Sequence, residues 1–452
     1  MSSIPTPTTP RFIQLINWIL RPLAVMDTHS RQLGDLFRMR LGQFDLVTAS
    51  KPDTLRYMLT HDSEELSAPG EVNQILKPLL GENSVILLDG ESHRRRRQLI
   101  MPPFHGERLR AYADLIQTLA RRAVSDLAPG ETFVARDVMQ QITMRVILQA
   151  VFGLHEGDRY HRLEILLRDR INLASSPLTS SLIFFPVLQT DLGSWSPGAK
   201  IKALAAEIDG LIYAEIRDRR ANPDPNRTDI LSLLLLAQDE TGKGMTDPEL
   251  RDELMTLLVA GHETTATALT WALYWAHHLP EVQKNLLEEI QTSGADGNAL
   301  ALTKLPYLSA VCNETLRIYP VAMLTFARRV EQPIELEGYV LEPGTVVTGS
   351  IYLLHRRPEL YPDPELFKPE RFLERQYSAF EFMPFGAGER RCVGAALAQY
   401  ELKIVLGTLL SEFEFALADT QPATPERRGV TLGVKGGVKL IFKGKRQQLV
   451  PA

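Results

Sequence analysis

One short stretch combines a cysteine with glycines and basic residues, and it is the part of the sequence best suited to bind a metal. Residues 385–394 read FGAGERRCVG and contain Cys392, one of two cysteines in the chain. Cysteine ligates metal as the thiolate, which nearby positive charge and a helix N-terminus both favour. Apolar residues recur at helical spacing behind it, over 395–413. The pattern predicts a metal-ligating thiolate where a glycine loop enters a buried helix, and a buried structural cysteine is the alternative.

This stretch resembles the haem-ligand loop of the cytochrome P-450 family. The match comprises five positions, Phe385, Gly388, Arg390, Cys392 and Gly394. The resemblance implies haem b as the cofactor and Cys392 as the axial ligand of its iron. It also implies that Phe385, Gly386 and Gly394 contact the haem and that Arg390 binds a propionate.

A second stretch with chemical potential lies in a long apolar segment. Thr246 or Asp247 can cap a helix there, Pro248 suits the first helical position, and Pro280 marks the end. Such a helix would be roughly 50 Å long, so it must be buried on most sides to be stable. A glycine in its interior, at position 261, costs about 1 kcal/mol relative to alanine.

The sequence AGHETT in this helix resembles the central helix of the same family, where oxygen is activated. The resemblance implies that Gly261 and Thr264 open a notch beside the haem, with Ala260 facing haem and substrate. Thr264 would hold dioxygen and a water, and Glu263 would help to bring protons in. The alternative is a kinked helix whose threonine bonds to its own backbone carbonyls. His262 is interpreted as a filler residue.

A basic run supplies candidate partners for the haem carboxylates. His93 and Arg97 lie four residues apart, so they share one helix face, and guanidinium groups suit carboxylates. The resemblance implies that both hold haem propionates, and it adds Arg328 and His355 to that set. Residues 94–96 are arginines for which a solvated face is the better interpretation, with docking of an acidic electron donor as the alternative.

Two charged residues on a short predicted helix, 307–320, have a structural interpretation. Glu314 and Arg317 lie three residues apart and can pair on one face. An exposed pair of this kind contributes less than about 1 kcal/mol. The resemblance implies a scaffold lock whose third member is Arg371. Cys312 on the same helix is interpreted as a small buried apolar residue.

The predicted substrate wall draws on four segments: the loop 67–90, the strand-like run 321–326, a hairpin tip at 431–433, and the apolar, proline-broken segment 171–197. Long loops often carry ligand contacts, and the resemblance assigns 171–197 to substrate access. For 182–185, core packing is an equal alternative. The predicted lining residues are Ser84, Val85, Leu87, Ala260, Val321, Met323, Leu324 and Leu432.

Bulk properties limit the function classes. The chain has 452 residues, 44% of them hydrophobic, and a net charge of −5, which gives no electrostatic case for nucleic-acid binding. Two cysteines give no disulfide framework and fit a reducing, cytoplasmic location. The apolar run 12–20 is too short to span a bilayer and has no signal-peptide flanks. It predicts an amphipathic helix packed on the protein, with loose membrane contact as the minority interpretation.

The remaining patterns predict a disordered tail at 1–10, a hairpin from 36–42 and 44–50, and a helix at 51–60. The resemblance extends over nearly the whole chain. It implies a mainly α fold with a smaller β-rich portion, a single domain over 11–452, and haem between the helices that carry Gly261 and Cys392.

The implied activity is a haem-thiolate monooxygenase that hydroxylates or epoxidises a lipophilic molecule such as a fatty acid, alkane or terpenoid. It would use O2 and two electrons from a separate ferredoxin-type or flavodoxin-type donor with its reductase. The alternatives are a thiolate-haem peroxygenase or isomerase, against which the Glu263–Thr264 pair argues, and a non-catalytic haem-binding sensor or carrier.

Overall fold

A computed structural model describes residues 3–61, 65–104, 106–153, 157–175, 193, 196–224 and 226–447. The helices in these residues are α1 (Arg11–Leu20), α2 (Pro22–Leu33), α3 (Pro52–Thr60), α4 (Lys77–Leu80), α5 (Gly90–Ile100), α6 (Glu107–Ala111), α7 (Ala113–Val124), α8 (Ala135–Phe152), α9 (Asp158–Ser175), α10 (Pro197–Ala221), α11 (Ile230–Leu236), α12 (Asp247–His278), α13 (Pro280–Thr292), α14 (Ala299–Leu302), α15 (Pro306–Ile318), α16 (Ile351–Leu354), α17 (Arg371–Glu374) and α18 (Ala395–Glu412). Among them, none is both long and apolar enough to cross a membrane.

The strands form a smaller β portion. They are β1 (Leu36–Leu41), β2 (Phe44–Ala49), β3 (Leu66–Ser67), β4 (Thr132–Val134), β5 (Arg328–Val330), β6 (Ile334–Leu336), β7 (Tyr339–Leu341), β8 (Val346–Gly349), β9 (Phe413–Leu417), β10 (Pro425–Arg428), β11 (Thr431–Val434) and β12 (Lys439–Lys445). A five-stranded sheet has the order β1-β2-β8-β5-β3, and a three-stranded sheet has the order β4-β12-β9. Two further antiparallel pairs, β6-β7 and β10-β11, complete the β portion of the described chain.

The long helix α12 runs through the centre of the protein. The Thr246 side chain accepts from the Glu249 amide at 3.4 Å, and the Thr246 amide donates to the Glu249 carboxylate at 2.8 Å, which forms a capping box. Its 32 residues correspond to about 48 Å, as the sequence predicted. Contacts with α8, α10, α15 and α18 bury most of its faces, which stabilises a helix of this length.

The N-terminal hairpin and the helix after it are confirmed. β1 and β2 pair antiparallel from Leu36 opposite Ala49 to Leu41 opposite Phe44, and α3 follows directly. Residues 3–10 differ from the expected disordered tail. The Arg38 amide donates to the Pro5 carbonyl at 2.8 Å, so this segment lies beside β1.

Two expectations about loops are corrected. The segment 67–90 contains a 3-10 turn, Gly70–Leu76, followed by α4, because its apolar residues pack as short helices. The expected C-terminal hairpin over 429–444 does not form. β11 pairs back to β10, whereas β12 pairs with β4 and β9, so the turn lies at 429–430. Most of 171–197, including 182–185, lies outside the described residues.

Candidate active site

The loop before α18 presents Cys392 to an internal cavity. We call residues 385–394 the cysteine loop. The Cys392 amide donates to the Phe385 carbonyl at 2.9 Å, and the Gly386 amide donates to the Met383 carbonyl at 3.0 Å. Gly386 has a φ of 68°, in the left-handed region that residues with side chains rarely adopt. The loop is therefore closed by its own backbone hydrogen bonds.

The cysteine thiol is enclosed by protein but accessible to the cavity. Burial raises the pKa of Cys392 above its ordinary value of 9.0, while the Gly394 amide, Arg97 and Arg391 act in the opposite direction. The free thiol is therefore protonated at neutral pH. A metal ion that binds there would displace this proton, since the thiolate is the ligating form.

The cavity encloses about 330 Å³, and residues of both α12 and the cysteine loop line it. Most of its wall is apolar. The larger apolar side chains of the wall are Leu59, Val85, Ile86, Ile100, Phe104, Ile147, Leu257, Leu316, Val321, Leu324, Phe326, Ile351, Phe385, Val393, Leu397 and Leu402. Such a wall suits a large, flat, mostly apolar molecule or a lipophilic ligand.

Five basic side chains line the same cavity, namely the exposed Arg391 of the cysteine loop and four others from three segments. His93 and Arg97 come from α5, Arg328 from β5, and Arg390 from the cysteine loop. Burial, and then the positive charges of Arg390, Arg97 and Arg328, lower the pKa of His93 to about 3. A neutral imidazole beside three guanidinium groups is a suitable site for carboxylates.

Arg390 also connects two parts of the cavity wall. Its guanidinium donates to the carbonyl of Val85 at 3.0 Å and to the carbonyls of Ala68 and Leu88. These contacts join the cysteine loop to the segment 83–88, which we call loop 83–88. Sequence reasoning assigned Arg390 to a propionate alone and missed this second set of contacts.

His355 is not among the described residues that line the cavity, but its Nδ1 is buried without a hydrogen-bond partner, so its role as a propionate contact stays a prediction. Its Nε2 accepts from the Met383 amide at 3.0 Å, and its carbonyl accepts from Arg317 at 2.9 Å. Burial lowers its pKa to about 3, so the ring is neutral. His355 therefore links the scaffold to the residues just before the cysteine loop.

The middle of α12 lines the cavity through Ala260, Gly261 and Thr264. The Thr264 hydroxyl donates to the Ala260 carbonyl at 2.6 Å, the bond expected under the structural alternative. A Cβ added at Gly261 would lie 3.0 Å from the Ile147 side chain. The glycine thus permits close packing of α12 on α8, in addition to opening space at the cavity.

Glu263 lies on another face of α12. Its carboxylate accepts from Arg136 at 2.9 Å and from Gln140 at 2.6 Å, both on α8. It is not among the described residues that line the cavity. His262 is buried, its Nδ1 lies 2.8 Å from the Thr143 hydroxyl, and burial lowers its pKa to about 4. It is thus a neutral packing residue, as interpreted from the sequence.

Loop 83–88 is fastened to the N-terminal half of α12 by side chains. Three hydrogen bonds of 2.7–2.8 Å join Asn83 to Asp252, Ser84 to Thr256, and Val85 to Glu253. Arg96 from α5 donates to the same Glu253 carboxylate at 3.0 Å. Burial raises the pKa of Glu253 to about 7, although Arg96 and the Val85 amide oppose that shift. One buried acid therefore connects loop 83–88, α5 and α12.

These contacts correct the expectation that 94–96 form a solvated face. Arg96 is buried and pairs with Glu249 and Glu253, and Arg95 pairs with Asp239, so both basic groups connect α5 to the start of α12 and the preceding loop. Arg94 alone of the three keeps half of its side chain exposed. The acids that neutralise Arg95 and Arg96 are more than 140 residues away in sequence, so no local pattern indicates them.

The predicted substrate wall is only partly found in the cavity. Val85, Ala260, Val321 and Leu324 line it. The other four, Ser84, Leu87, Met323 and Leu432, do not line it and are buried elsewhere. For Leu432 the reason is side-chain alternation along β11, because Thr431 faces the cavity and Leu432 packs into the core.

The scaffold lock predicted from sequence forms as expected. The Glu314 carboxylate and the Arg317 guanidinium are fully buried and lie 2.6 Å apart, and Arg371 reaches Glu314 at 3.2 Å. Arg317 also donates to the carbonyls of His355 and Pro364, both at 2.9 Å. The lock therefore holds α15 against the segment that leads to the cysteine loop.

Comparison with known proteins identifies the family. The family model described as "Cytochrome P450" matches residues 5–441. The chain belongs to the cytochrome P-450 family. It is 34% identical over 450 residues to "Putative cytochrome P450 135B1" of Mycobacterium bovis, covering 98% of this chain and 93% of the relative. It is 31% identical over 440 residues to "Putative cytochrome P450 138" of the same species, covering 96% and 95%.

A solved structure supports the fold. The chain matches "Retinoic acid bound cyanobacterial CYP120A1" with a TM-score of 0.84 and 23% identity, covering 98% of this chain and 99% of that one. The mainly α fold with a small β portion is therefore confirmed. As a cytochrome P-450, the protein is a haem-thiolate monooxygenase whose cofactor is haem b.

The residues present fit that cofactor. A cysteine thiol accessible to the cavity, an apolar wall, and a neutral histidine with three arginines on the same cavity match a flat apolar ring with one soft-ligand metal and two carboxylates.

Sequence reasoning missed several polar residues of this P-450 cavity. The missed hydroxyls are those of Thr256 and Thr265, whereas Thr325 and Thr431 lie in the predicted wall segments 321–326 and 431–433. The helical spacing of 256, 260 and 264 could have indicated the first of them. Glu401 was also missed. It lies on α18 and lines the cavity, its Oε1 has no hydrogen-bond partner, and burial raises its pKa well above 4.5. Burial therefore favours the protonated form of this carboxylic acid.

Proposed function

We propose that this monooxygenase hydroxylates or epoxidises a lipophilic small molecule such as a fatty acid, an alkane or a terpenoid. The observation that carries the proposal is the predominantly apolar wall of the cavity into which Cys392 opens. The apolar part of a ligand displaces water from such a wall favourably, because the wall offers few polar groups. Retinoic acid, named for the structural neighbour, is a lipophilic molecule of this general kind.

We further propose that the cavity residues hold haem b as follows, within one haem domain over 11–452. Cys392 ligates the iron, and Phe385, Gly386, Gly394, Ala260 and Gly261 lie against the ring. His93, Arg97, Arg328 and Arg390 bind the propionates, which is supported by the concentration of positive charge around His93. When bound, the thiolate-ligated haem supplies the oxidation chemistry with O2.

The protein's own part in the reaction is to exclude water and supply protons. Thr264 places a hydroxyl on the cavity, where it can hold O2 and a water. Glu263, the next residue, lies on the α8 side beside the partly exposed Arg136, so it can take a proton from that side. Rotation of its side chain would carry the acid toward Thr264.

Electrons come, in this proposal, from a separate ferredoxin-type or flavodoxin-type protein with its reductase. A cytoplasmic location fits two free cysteines and a reduced partner. Arg94 and Arg391 are exposed basic groups on segments next to the haem site, which suits an acidic partner.

Titration of fatty acids, alkanes and terpenoids against the visible spectrum of the haem protein tests the substrate class. We expect one lipophilic class to shift the iron spin state in a saturable way and to give an oxygenated product with O2 and reduced ferredoxin. Turnover with peroxide alone would favour a peroxygenase or isomerase, and no spin shift with any lipophilic ligand would favour a sensor or carrier. The Thr264→Ala variant should bind the same ligand but uncouple electron use from product, whereas Thr264→Ser should retain coupling.

A further inference from the structure

Three large apolar side chains of the first helix face solvent and not the protein core. In α1, Phe12, Ile16 and Leu20 are 63%, 49% and 70% exposed, and their spacing of four residues puts them on one side. The inward face holds Trp18 and Gln14. A stripe of three large apolar side chains on this helix therefore faces away from the protein.

The inward face shows that the helix is not misplaced. The Gln14 side chain donates to the Thr9 carbonyl at 2.8 Å and accepts from the Arg40 amide at 3.0 Å. Trp18 packs in a core cluster with Phe37 and Met39 of β1. A rotation of α1 that buried the apolar stripe would break both hydrogen bonds and expose the tryptophan. The outward stripe is therefore a fixed feature of the fold.

The exposed apolar groups cluster here. Of the nine large apolar side chains that are strongly exposed in the described residues, three belong to α1 and a fourth, Val430, caps the adjacent hairpin of β10 and β11. Arg427 in that hairpin donates to the Ile19 carbonyl at 3.1 Å, so hairpin and helix are held together. Exposed apolar side chains on a helix and a hairpin that are held together in this way indicate a binding surface.

The charges around the patch differ in sign from those of the whole chain. Arg11 and Arg21 lie at the two ends of α1, and both are exposed. Arg38 and Arg40 on β1, together with Arg11, share one acid, Asp45. These four arginines and one aspartate give a local charge of +3, whereas the chain carries −5. An apolar stripe flanked by arginine suits an anionic bilayer surface, where the apolar groups enter the interface and the cations bind headgroups.

We infer that α1 and the tip of the β10–β11 hairpin form a docking surface for the headgroup region of an anionic lipid bilayer. The surface lies close to the active site, because Thr431, the residue after Val430, lines the cavity and bridges to Ala322. If the substrate is lipophilic, as proposed above, docking places the cavity next to the phase in which that substrate is dissolved.

Sedimentation of the full-length haem protein with vesicles tests the inference. We use phosphatidylcholine vesicles with and without phosphatidylglycerol, at low and high salt. Wild-type protein should bind the anionic vesicles, and salt should weaken the binding. The Phe12→Ser/Ile16→Ser/Leu20→Ser variant should lose at least about tenfold in partitioning, and Arg21→Glu about fivefold or more. The variant Leu366→Ser/Leu373→Ser removes two side chains of similar exposure elsewhere and should bind as wild type does.

Two results would overturn the inference. One is failure of wild-type protein to bind either vesicle, and the other is equal binding by the wild type and the triple variant. A dimer that dissociates in the triple variant without any vesicle binding would assign the patch to a second copy of the chain. The ferrous carbon monoxide spectrum should be the same in all variants, which separates loss of docking from loss of the haem site.

Discussion

The two sides of the cavity are held in place by different kinds of contact. On the cysteine side, the loop closes on itself through backbone bonds such as that from Cys392 to Phe385. On the other side, loop 83–88 is fastened by α12 side chains more than 160 residues away, including Glu253. A motif with local bonds keeps its geometry wherever the fold places it. The substrate wall depends on polar pairs that form only after the helices pack.

The largest effect is expected from a variant that alters only the cysteine side of the cavity. Cys392→Ala should abolish the red-shifted carbon monoxide band of a thiolate-ligated ferrous haem, because no other sulfur replaces the ligand. Far-UV circular dichroism should stay near that of the wild type, since the loop is closed by backbone bonds. Cys312→Ala, at a buried position on α15, is the control and should keep the band. A red-shifted band in Cys392→Ala protein would contradict the assignment.

Removal of a buried charge tests how the scaffold supports the cysteine side. Arg317→Ala leaves Glu314 buried without its partner and frees the carbonyl of His355, so the free energy of unfolding should fall by about 3–5 kcal/mol. Denaturation of the haem protein measures it. Lys284→Ala removes an exposed pair with Glu288 and should cost less than about 0.5 kcal/mol. Similar losses of stability in the two variants would show that the buried pair contributes no more than the exposed pair.

Removal of Glu253 tests the side of the cavity that loop 83–88 forms. Glu253→Ala removes one of the two acids that pair with Arg96 and leaves the Val85 amide unpaired, which should cost about 1–3 kcal/mol of stability. It should also weaken ligand binding, measured by spin-state titration, while the carbon monoxide band is unchanged. Thr256→Val removes the hydroxyl that contacts Ser84 and the Asp252 carbonyl of its own helix, and it should cost about 1 kcal/mol. A lost carbon monoxide band in Glu253→Ala protein would mean that the two sides are not independent.

The smallest expected effect concerns pH. Burial raises the pKa of Glu401 in the folded protein above 4.5, so the folded state keeps a proton that the unfolded chain releases. The free energy of unfolding should therefore fall as pH rises from about 4.5 toward the folded pKa, by at most about 1.4 kcal/mol per pH unit. Glu401→Gln cannot release a proton and should reduce this slope. Identical slopes in denaturation series at about pH 5 to 8 would contradict the assignment of a neutral acid.

The sequence permitted a good prediction of the parts whose geometry is local. The cysteine loop, the capped helix α12, the β1–β2 hairpin and the pair of Glu314 with Arg317 each depend on residues within a few positions of one another. For the same reason, the residues assigned to the propionates by helical spacing, His93 and Arg97, do share a face of α5 that lines the cavity.

Predictions failed where the partner of a side chain lies far away in sequence. Arg95 and Arg96 were expected on a solvated face, yet Asp239 and Glu253 pair with them. The sequence also did not indicate which residues hold Glu263, whose carboxylate accepts from Arg136 and Gln140 on α8. The predicted hairpin over 429–444 does not form, because β12 pairs with β4 and β9 and not with β11. A local sequence pattern does not reveal these pairings.

By itself, the sequence determined the family, the cysteine loop and the long central helix, because glycine positions, caps and helical periodicity act over a few residues. Tertiary structure alone decided which side chains face the cavity, which arginines are neutralised by distant acids, and which apolar groups of α1 stay outside. The physical reason is that burial and ion pairing depend on the neighbours that packing supplies, and these neighbours come from segments separated by a hundred residues or more.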